Sequence, residues 1–383
     1  MLLTHHSVLM KMVAFYFKFW SLDFLPKSKL KIINIVKLII YPFGAGLFTF
    51  CSTWHLFFEM GDYSDLIDVS FTIIFIFATF QCNMVYWIIN IYNKTRILKI
   101  FSYFDMTINS QDYLVADLRK KHYENNTRQI LTLAKIFLTG ITISGVIIMA
   151  FDMYRSELYM PVFFSFPGIP LDSILFYPIN IIGQLILYFA CLEILMWSDT
   201  IIMVCIMYCD AELRTIRDLI LFLENEEVVK TKSPFMLKLI YEVHRDIAQQ
   251  AKELTDSFWH IYFIKLLTIM LYLCSVMFIF QSFDASLIVP FNASMMMVSQ
   301  IFILCFFGQI LRNSSEEMCD SLYMTKWYEM TTKNLKNLLM LMTRFHNPIK
   351  VETFGFGVIS IYTFVQILKA SISYATILYT VFT

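Results

Sequence analysis

The chain has 383 residues, of which 58% are hydrophobic and only 16% charged, with a mean hydropathy of +0.63. A soluble domain is about 45–50% apolar and about 25% charged, so most of this chain must face lipid or other apolar helices. The formal net charge is zero, which argues against nucleic acid as a partner, since such proteins carry a basic excess on one face.

At the N-terminus, Lys11 and Lys18 interrupt the apolar run from Val8 to Trp20, so no cleaved signal peptide is expected and the first true span should direct insertion. Met12, Phe15, Phe19 and Leu22 recur at helical spacing. They predict either a helix lying on the inner membrane surface or a buried cytoplasmic helix. Crossing about 30 Å of hydrocarbon takes roughly 20 mostly apolar residues. Seven segments qualify: Ile33 to Trp54, Leu66 to Tyr92, Leu131 to Phe151, Leu175 to Tyr208, Phe258 to Phe283, Leu287 to Leu311 and Phe354 to Phe382. The fourth exceeds a bilayer and should project into the cytoplasm. The expected fold is an all-α membrane protein with seven transmembrane helices in a single domain, residues 1–383, with no internal repeat.

Orientation follows from the bias of Lys and Arg toward cytoplasmic loops. Outside the spans, every Lys and Arg except Arg155 falls on one side: in the N-terminal segment and in the loops after the second, fourth and sixth spans. The N-terminus is therefore expected in the cytoplasm and the C-terminus outside, inverted relative to G-protein-coupled receptors. The short outer loops carry Glu59, Asp62, Asp65, Asp152, Glu157, Asp172 and Asp284. The stretch from Asp152 to Ile174, with Pro161, Pro167, Gly168 and Pro170, reads as a lid without regular secondary structure. The sequons at Asn125 and Asn313 fall on the inner side, and Asn292 sits at or within the outer boundary, so none is expected to carry glycan.

Chemistry-bearing patterns point away from catalysis. The seven histidines form no HExxH, and no GxSxG, Walker or GxGxxG motif occurs. The eight cysteines show neither CxxC spacing nor a disulfide framework. No enzyme activity, cofactor or metal is expected. Within the spans, Glu193 and Asp199 read as structural partners for basic groups. Lys369 lies midway along the last span, beside Gln366 and ahead of Ser371, Ser373 and Thr376. Such residues suit either a wet, pore-facing helix or polar glue between packed helices. Between the sixth and seventh spans, Trp327, Met330, Leu335, Leu338, Leu339 and Met342 alternate with Lys326, Lys333, Lys336 and Arg344. This predicts an amphipathic cytoplasmic helix in residues 313–350 that packs within its own subunit or anchors one subunit to the next.

The stretch from Glu352 to Leu378 places Thr363-Phe364 before Ile367-Leu368-Lys369, then Ser373-Tyr374 and Thr376-Ile377-Leu378. It resembles the closing signature of insect odorant receptors. The ending of the related gustatory receptors, Thr-Tyr followed by apolar residues and Gln-Phe, is absent. The resemblance implies an odorant-gated, non-selective cation channel in the plasma membrane of a sensory dendrite. The second inner loop is shorter than the shared coreceptor's, so the chain looks like a ligand-tuning subunit that would join that coreceptor as a heterotetramer. The last helix, 354–382, would line the pore, with Ile377 and Val381 as a hydrophobic gate, Thr380 near the lumen and Lys369 deeper along the same helix. A small volatile ligand would bind in the outer half, between the second, third, fourth and sixth spans. The residues at that depth are Phe71, Phe75, Ile147, Phe151, Tyr154, Ile181, Tyr188, Met296 and Ser299. The alternatives are a gustatory-type channel acting without the coreceptor, or a non-channel transporter or scaffold.

Overall fold

A computed structural model of the chain describes residues 4–22, 31–59, 66–110, 113–155, 173–281 and 288–382. Among them are ten α-helices: α1 (Thr4–Trp20), α2 (Lys31–Trp54), α3 (Leu66–Tyr86), α4 (Lys94–Ile108), α5 (Tyr113–Arg155), α6 (Phe176–Leu221), α7 (Glu226–Gln281), α8 (Ile288–Tyr323), α9 (Thr332–Phe345) and α10 (Ile361–Phe382). Hydrocarbon offers no water to backbone amides, so a chain this apolar satisfies them within helices. Segments of α5, α6, α7 and α8, and of α3 with the wide helical turn that follows it, are long and apolar enough to cross a membrane. With α2 and α10, they fall on the seven expected spans. The chain is thus a multi-pass, all-α membrane protein. Most of the expected lid, residues 156–172, and the segment around Asp284 lie outside the described residues.

The long helices position everything else. α7 has 56 residues and α6 has 46, each more than twice the roughly 20 a bilayer needs, so both continue well past the membrane at the basic end. Where α3 ends there, the helix widens over Trp87–Tyr92 and turns at Asn93. The buried Asn93 side chain donates to Ser257 O at 2.5 Å, and Asn90 donates to Tyr16 Oη at 3.4 Å. These bonds tie the break to α7 and α1, as buried amides require.

In the middle of the spans, three helices share one charged cluster. Lys265 on α7 ion-pairs with Asp199 on α6 and donates to Ser198 Oγ at 2.6 Å, while Gln300 on α8 donates to the other Asp199 oxygen at 2.8 Å. All four side chains are buried. Asp199 thus finds the basic partner expected of it, whereas Glu193 has no ion-pair partner among the described residues.

Beyond the spans, Asp210 on α6 accepts from Asn126 on α5 at 3.0 Å, from Arg214 at 2.7 Å and from Ser314 on α8. Arg119 Nε lies 3.0 Å from Glu212. α1 docks through His6, whose ring bonds Tyr208 Oη at 2.6 Å and lies 3.2 Å from Asp105. It buries Leu9, Val13, Tyr16 and Phe17, and leaves Phe15 and Phe19 exposed and stacked at 5.9 Å. The helix was expected, and Phe15 and Phe19 of the predicted stripe stay exposed, the side a membrane-surface helix would turn to lipid, while Met12 packs partly buried against the core.

The last span begins later than Phe354. Glu352–Thr353 and Gly357–Val358 pair as an antiparallel hairpin, turned by Gly355 (φ 79°) and Gly357 (φ 72°), a region that glycine enters without Cβ strain. An apolar run conceals this break because hydropathy does not register φ. Thr353 Oγ1 anchors the hairpin by donating to Trp259 O at 2.8 Å, and Ser360 Oγ accepts the Thr363 amide at 3.4 Å to cap α10.

Removing one member of a buried ion pair strands the other charge at a cost of about 3–5 kcal/mol, whereas replacing both with apolar groups is often neutral. Lys265→Met alone should therefore collapse the thermal stability of the detergent-purified protein, and Lys265→Met with Asp199→Leu should recover most of it. Equal instability of the single and double variants would refute the pairing.

His244, in the extramembrane half of α7, is buried against Phe345 of α9 with ring centroids 4.4 Å apart, and neither ring nitrogen has a partner among the described residues. Burial, aided by the nearby Arg344 charge, pushes its pKa down to about 4. The unfolded chain takes up the proton first, so stability should fall as pH drops from about 6.5 toward 4, by at most about 3 kcal/mol. Denaturation midpoints across that range, compared with His244→Phe, should show this slope lost in the variant.

Candidate functional site

The expected ligand-site residues lie on α3, α5, α6 and α8, which pack side by side. Phe75 on α3 and Tyr188 on α6 come together, their rings edge to face with centroids 6.5 Å apart. Tyr188 is buried, with Leu185, Phe189 and Leu192 around it. Met296 joins a neighbouring cluster of Phe137, Ile141 and Met196, which shares Leu192. Ser299 is half-buried and returns its hydroxyl to Met296 O at 2.7 Å. Ile181 is half-buried, whereas Ile147 is 43% exposed and is not drawn into the cluster. The side chains of Phe71, Phe151 and Tyr154 lie outside the described residues.

Three features escaped the sequence reading. Asn180 and Gln184 precede Tyr188 at four-residue steps, and both are fully buried, so α6 carries a polar stripe into an apolar bundle. That i, i+4, i+8 spacing was the available signal. Gly145 on α5 is where a side chain would press on Leu192 at 2.7 Å and on the Tyr188 ring at 3.4 Å, so its missing Cβ admits α6. Ser144 and Asn292 exchange two hydrogen bonds, both 2.9 Å, which fasten α5 to α8. Around these positions Phe75, Tyr188, Phe189, Met196 and Met296 make this part of the bundle aromatic and Met-containing.

The last helix has two faces. Ile367, Ser371 and Ala375 are buried, and Ser371 O accepts from Cys274 of α7 at 3.6 Å. On the opposite side Tyr362, Gln366, Lys369, Ser373, Thr376 and Thr380 are all exposed, at i, i+4, i+7, i+11, i+14 and i+18. Ile377, 53% exposed, flanks this row, and the Val381 side chain lies outside the described residues. At its base, α10 and the hairpin border a groove of about 570 Å³ lined by Arg312, Phe356, Thr363 and Gln366 among others. Gly308 of α8 sets the position of this base, because a Cβ there would stand 2.4 Å from Ile359 O.

The 7tm Odorant receptor family model matches residues 64–372. Odorant receptor 10 of Aedes albopictus is 23% identical over 384 residues, 94% of each chain. Odorant receptor 45a of Drosophila melanogaster is 31% identical over 118 residues, 30% of this chain and 31% of that one. In fold, the chain is similar to the insect olfactory receptor OR5 from Machilis hrabei in complex with eugenol, with a TM-score of 0.80 over 99% of both chains at 13% identity. A second structure of that receptor gives a TM-score of 0.77 over 98% of this chain and 99% of that one.

Because the Gly308 contact is with backbone, it cannot be relieved by rotating a side chain. Gly308→Ala should lower the melting temperature by several degrees, equivalent to about 1–3 kcal/mol of overpacking. Gly140→Ala, which meets nothing within 4 Å, should be neutral or stabilising, as the helix gains up to about 1 kcal/mol. Equal melting temperatures for the two variants would rule out the close approach.

Proposed function

The chain belongs to the odorant receptor family, and on that premise we propose that it is the ligand-tuning subunit of an odorant-gated, non-selective cation channel formed with the shared coreceptor. The observation that carries the channel reading is the exposed row on α10 from Gln366 through Lys369, Ser373 and Thr376 to Thr380. A lysine and an amide on one side of a span are costly against lipid and at home against water, and the hydroxyls of Ser373, Thr376 and Thr380 extend the same polar side. A single chain provides no water-filled lumen for that row, so copies of α10 from neighbouring subunits would supply it.

In this reading the four subunits place their α10 helices around one axis, with Ile377 and Val381 as the apolar constriction and Thr380 in the lumen. Such constrictions gate by dewetting. Residues 313–350 anchor the assembly. Tyr323, Met324, Tyr328, Leu339 and Met340 there are exposed and apolar, which suits contact with other subunits. The Lys and Arg bias supports a cytoplasmic N-terminus and anchor with the C-terminus outside, and family membership is the support for the plasma membrane of a sensory dendrite. A small volatile binds near Phe75, Tyr188 and Met296, with Phe71, Ile147, Phe151, Tyr154, Ile181 and Ser299 as further lining candidates. OR5 from Machilis hrabei was solved in complex with eugenol, which makes eugenol a rational first probe. The odorant opens the channel only through tighter binding to the open state.

Whole-cell currents from cells expressing this chain with and without the coreceptor, challenged with a panel of volatiles, test the reading. A cation current that needs both chains is expected. Tyr188→Ala should shift its dose response about 2- to 10-fold, the worth of one aromatic contact. Current from this chain alone would favour an independent channel, and silence despite surface delivery would favour a non-channel role.

A further inference from the structure

Where α2, α3 and α6 meet, two thiols converge on one phenol. Tyr41 Oη on α2 lies 3.0 Å from Cys82 Sγ on α3, and it donates to Cys191 Sγ on α6 at 3.5 Å. Cys82 Sγ also donates to the Cys191 carbonyl at 3.5 Å, so its sulfur reaches the partner's main chain. Both thiols are free; Cys82 is fully buried and Cys191 half-buried. The Tyr41 ring is held in place by Tyr86 at 4.7 Å and Trp20 at 5.2 Å. Cys205, Cys209 and Cys305 are buried as well, but no hydrogen bond brings any of them to a second sulfur among the described residues.

We propose that Cys82 and Cys191 are a redox-active dithiol that hydrogen peroxide closes into a disulfide, covalently linking α3 to α6. The shared Tyr41 hydroxyl and the Cys82 bond to the Cys191 carbonyl hold the two sulfurs on one side of the α3 and α6 seam, within reach of each other. The better exposed Cys191 is attacked first. Its sulfur bonds one peroxide oxygen and becomes a sulfenic acid, while the other oxygen leaves with the thiol proton as water. The Cys82 sulfur then bonds the Cys191 sulfur and expels a second water, so two thiols lose two electrons and one peroxide yields two waters. Peroxide is small and uncharged enough to reach a site within the membrane. The link would fall two turns along α3 from Phe75 and one turn along α6 from Tyr188, on the same seam that carries their ring contact.

The full-length protein in membranes is treated with hydrogen peroxide, alkylated without reduction, digested and examined by mass spectrometry. The expected product is a Cys82–Cys191 cross-linked peptide, lighter by two hydrogens than its two halves and released by reductant. It should disappear in Cys82→Ser and Cys191→Ser, and Cys82→Ser should accumulate a dimedone-trapped sulfenic acid at Cys191. Both cysteines remaining fully alkylatable, or Cys191 linking to a different thiol, would overturn the proposal. This readout is covalent and independent of current, so it stands or falls separately from the receptor reading.

Discussion

The ion pair between Lys265 and Asp199 is the constraint around which the bundle is arranged. A lone charge in hydrocarbon is prohibitive, so α6 and α7 are held in the register that brings these two groups together. Gln300 draws α8 into the same register by filling the remaining oxygen of Asp199, and Ser198 completes the lysine's partners. Hydrophobic contacts between such helices are nearly interchangeable with lipid, so polar contacts like these carry most of the specificity of packing.

α7 connects that register to the rest of the molecule. Beyond the spans it carries His244 against α9, and at the start of its span it receives the hairpin through Thr353. Within the spans it holds the buried face of α10 at Cys274 and Ser371. Phe75 and Tyr188 sit on the α3 and α6 seam to one side, and both of those helices also pack on α7. The Tyr188 region and α10 therefore share one long, continuous helix as a common neighbour. Gly308 adds a second point of contact, letting α8 touch the backbone that leads into α10.

Much of the architecture was readable in advance. The seven spans and the helix between the last two were visible because lipid exposure and helical period act on every residue of a long segment. Asp199 was readable as the partner of a base, but which base it meets depends on how α6 and α7 are rotated. The start of α10 was misplaced, because Gly355 and Gly357 look like ordinary members of an apolar run until their positive φ angles turn the chain into a hairpin. Among the ligand-site candidates, Phe75 and Tyr188 come together while Ile147 faces outward. Depth along a span can be counted from the sequence, but direction around its axis cannot.

The sequence by itself determined that this chain crosses a membrane as helices, because composition and hydropathy sum over about 20 residues at a time and need no partner. The residues of the last helix carried the family resemblance, and its polar residues were legible as either pore-facing or packing groups, with Ser371 proving to be buried and the others exposed. The tertiary structure alone decided which side of each helix is buried, that Lys265 meets Asp199, that two cysteines more than a hundred positions apart share one tyrosine, and that the row on α10 faces away from its own subunit. Each of these depends on the rotation and approach of helices distant in sequence, which are set by packing many side chains at once.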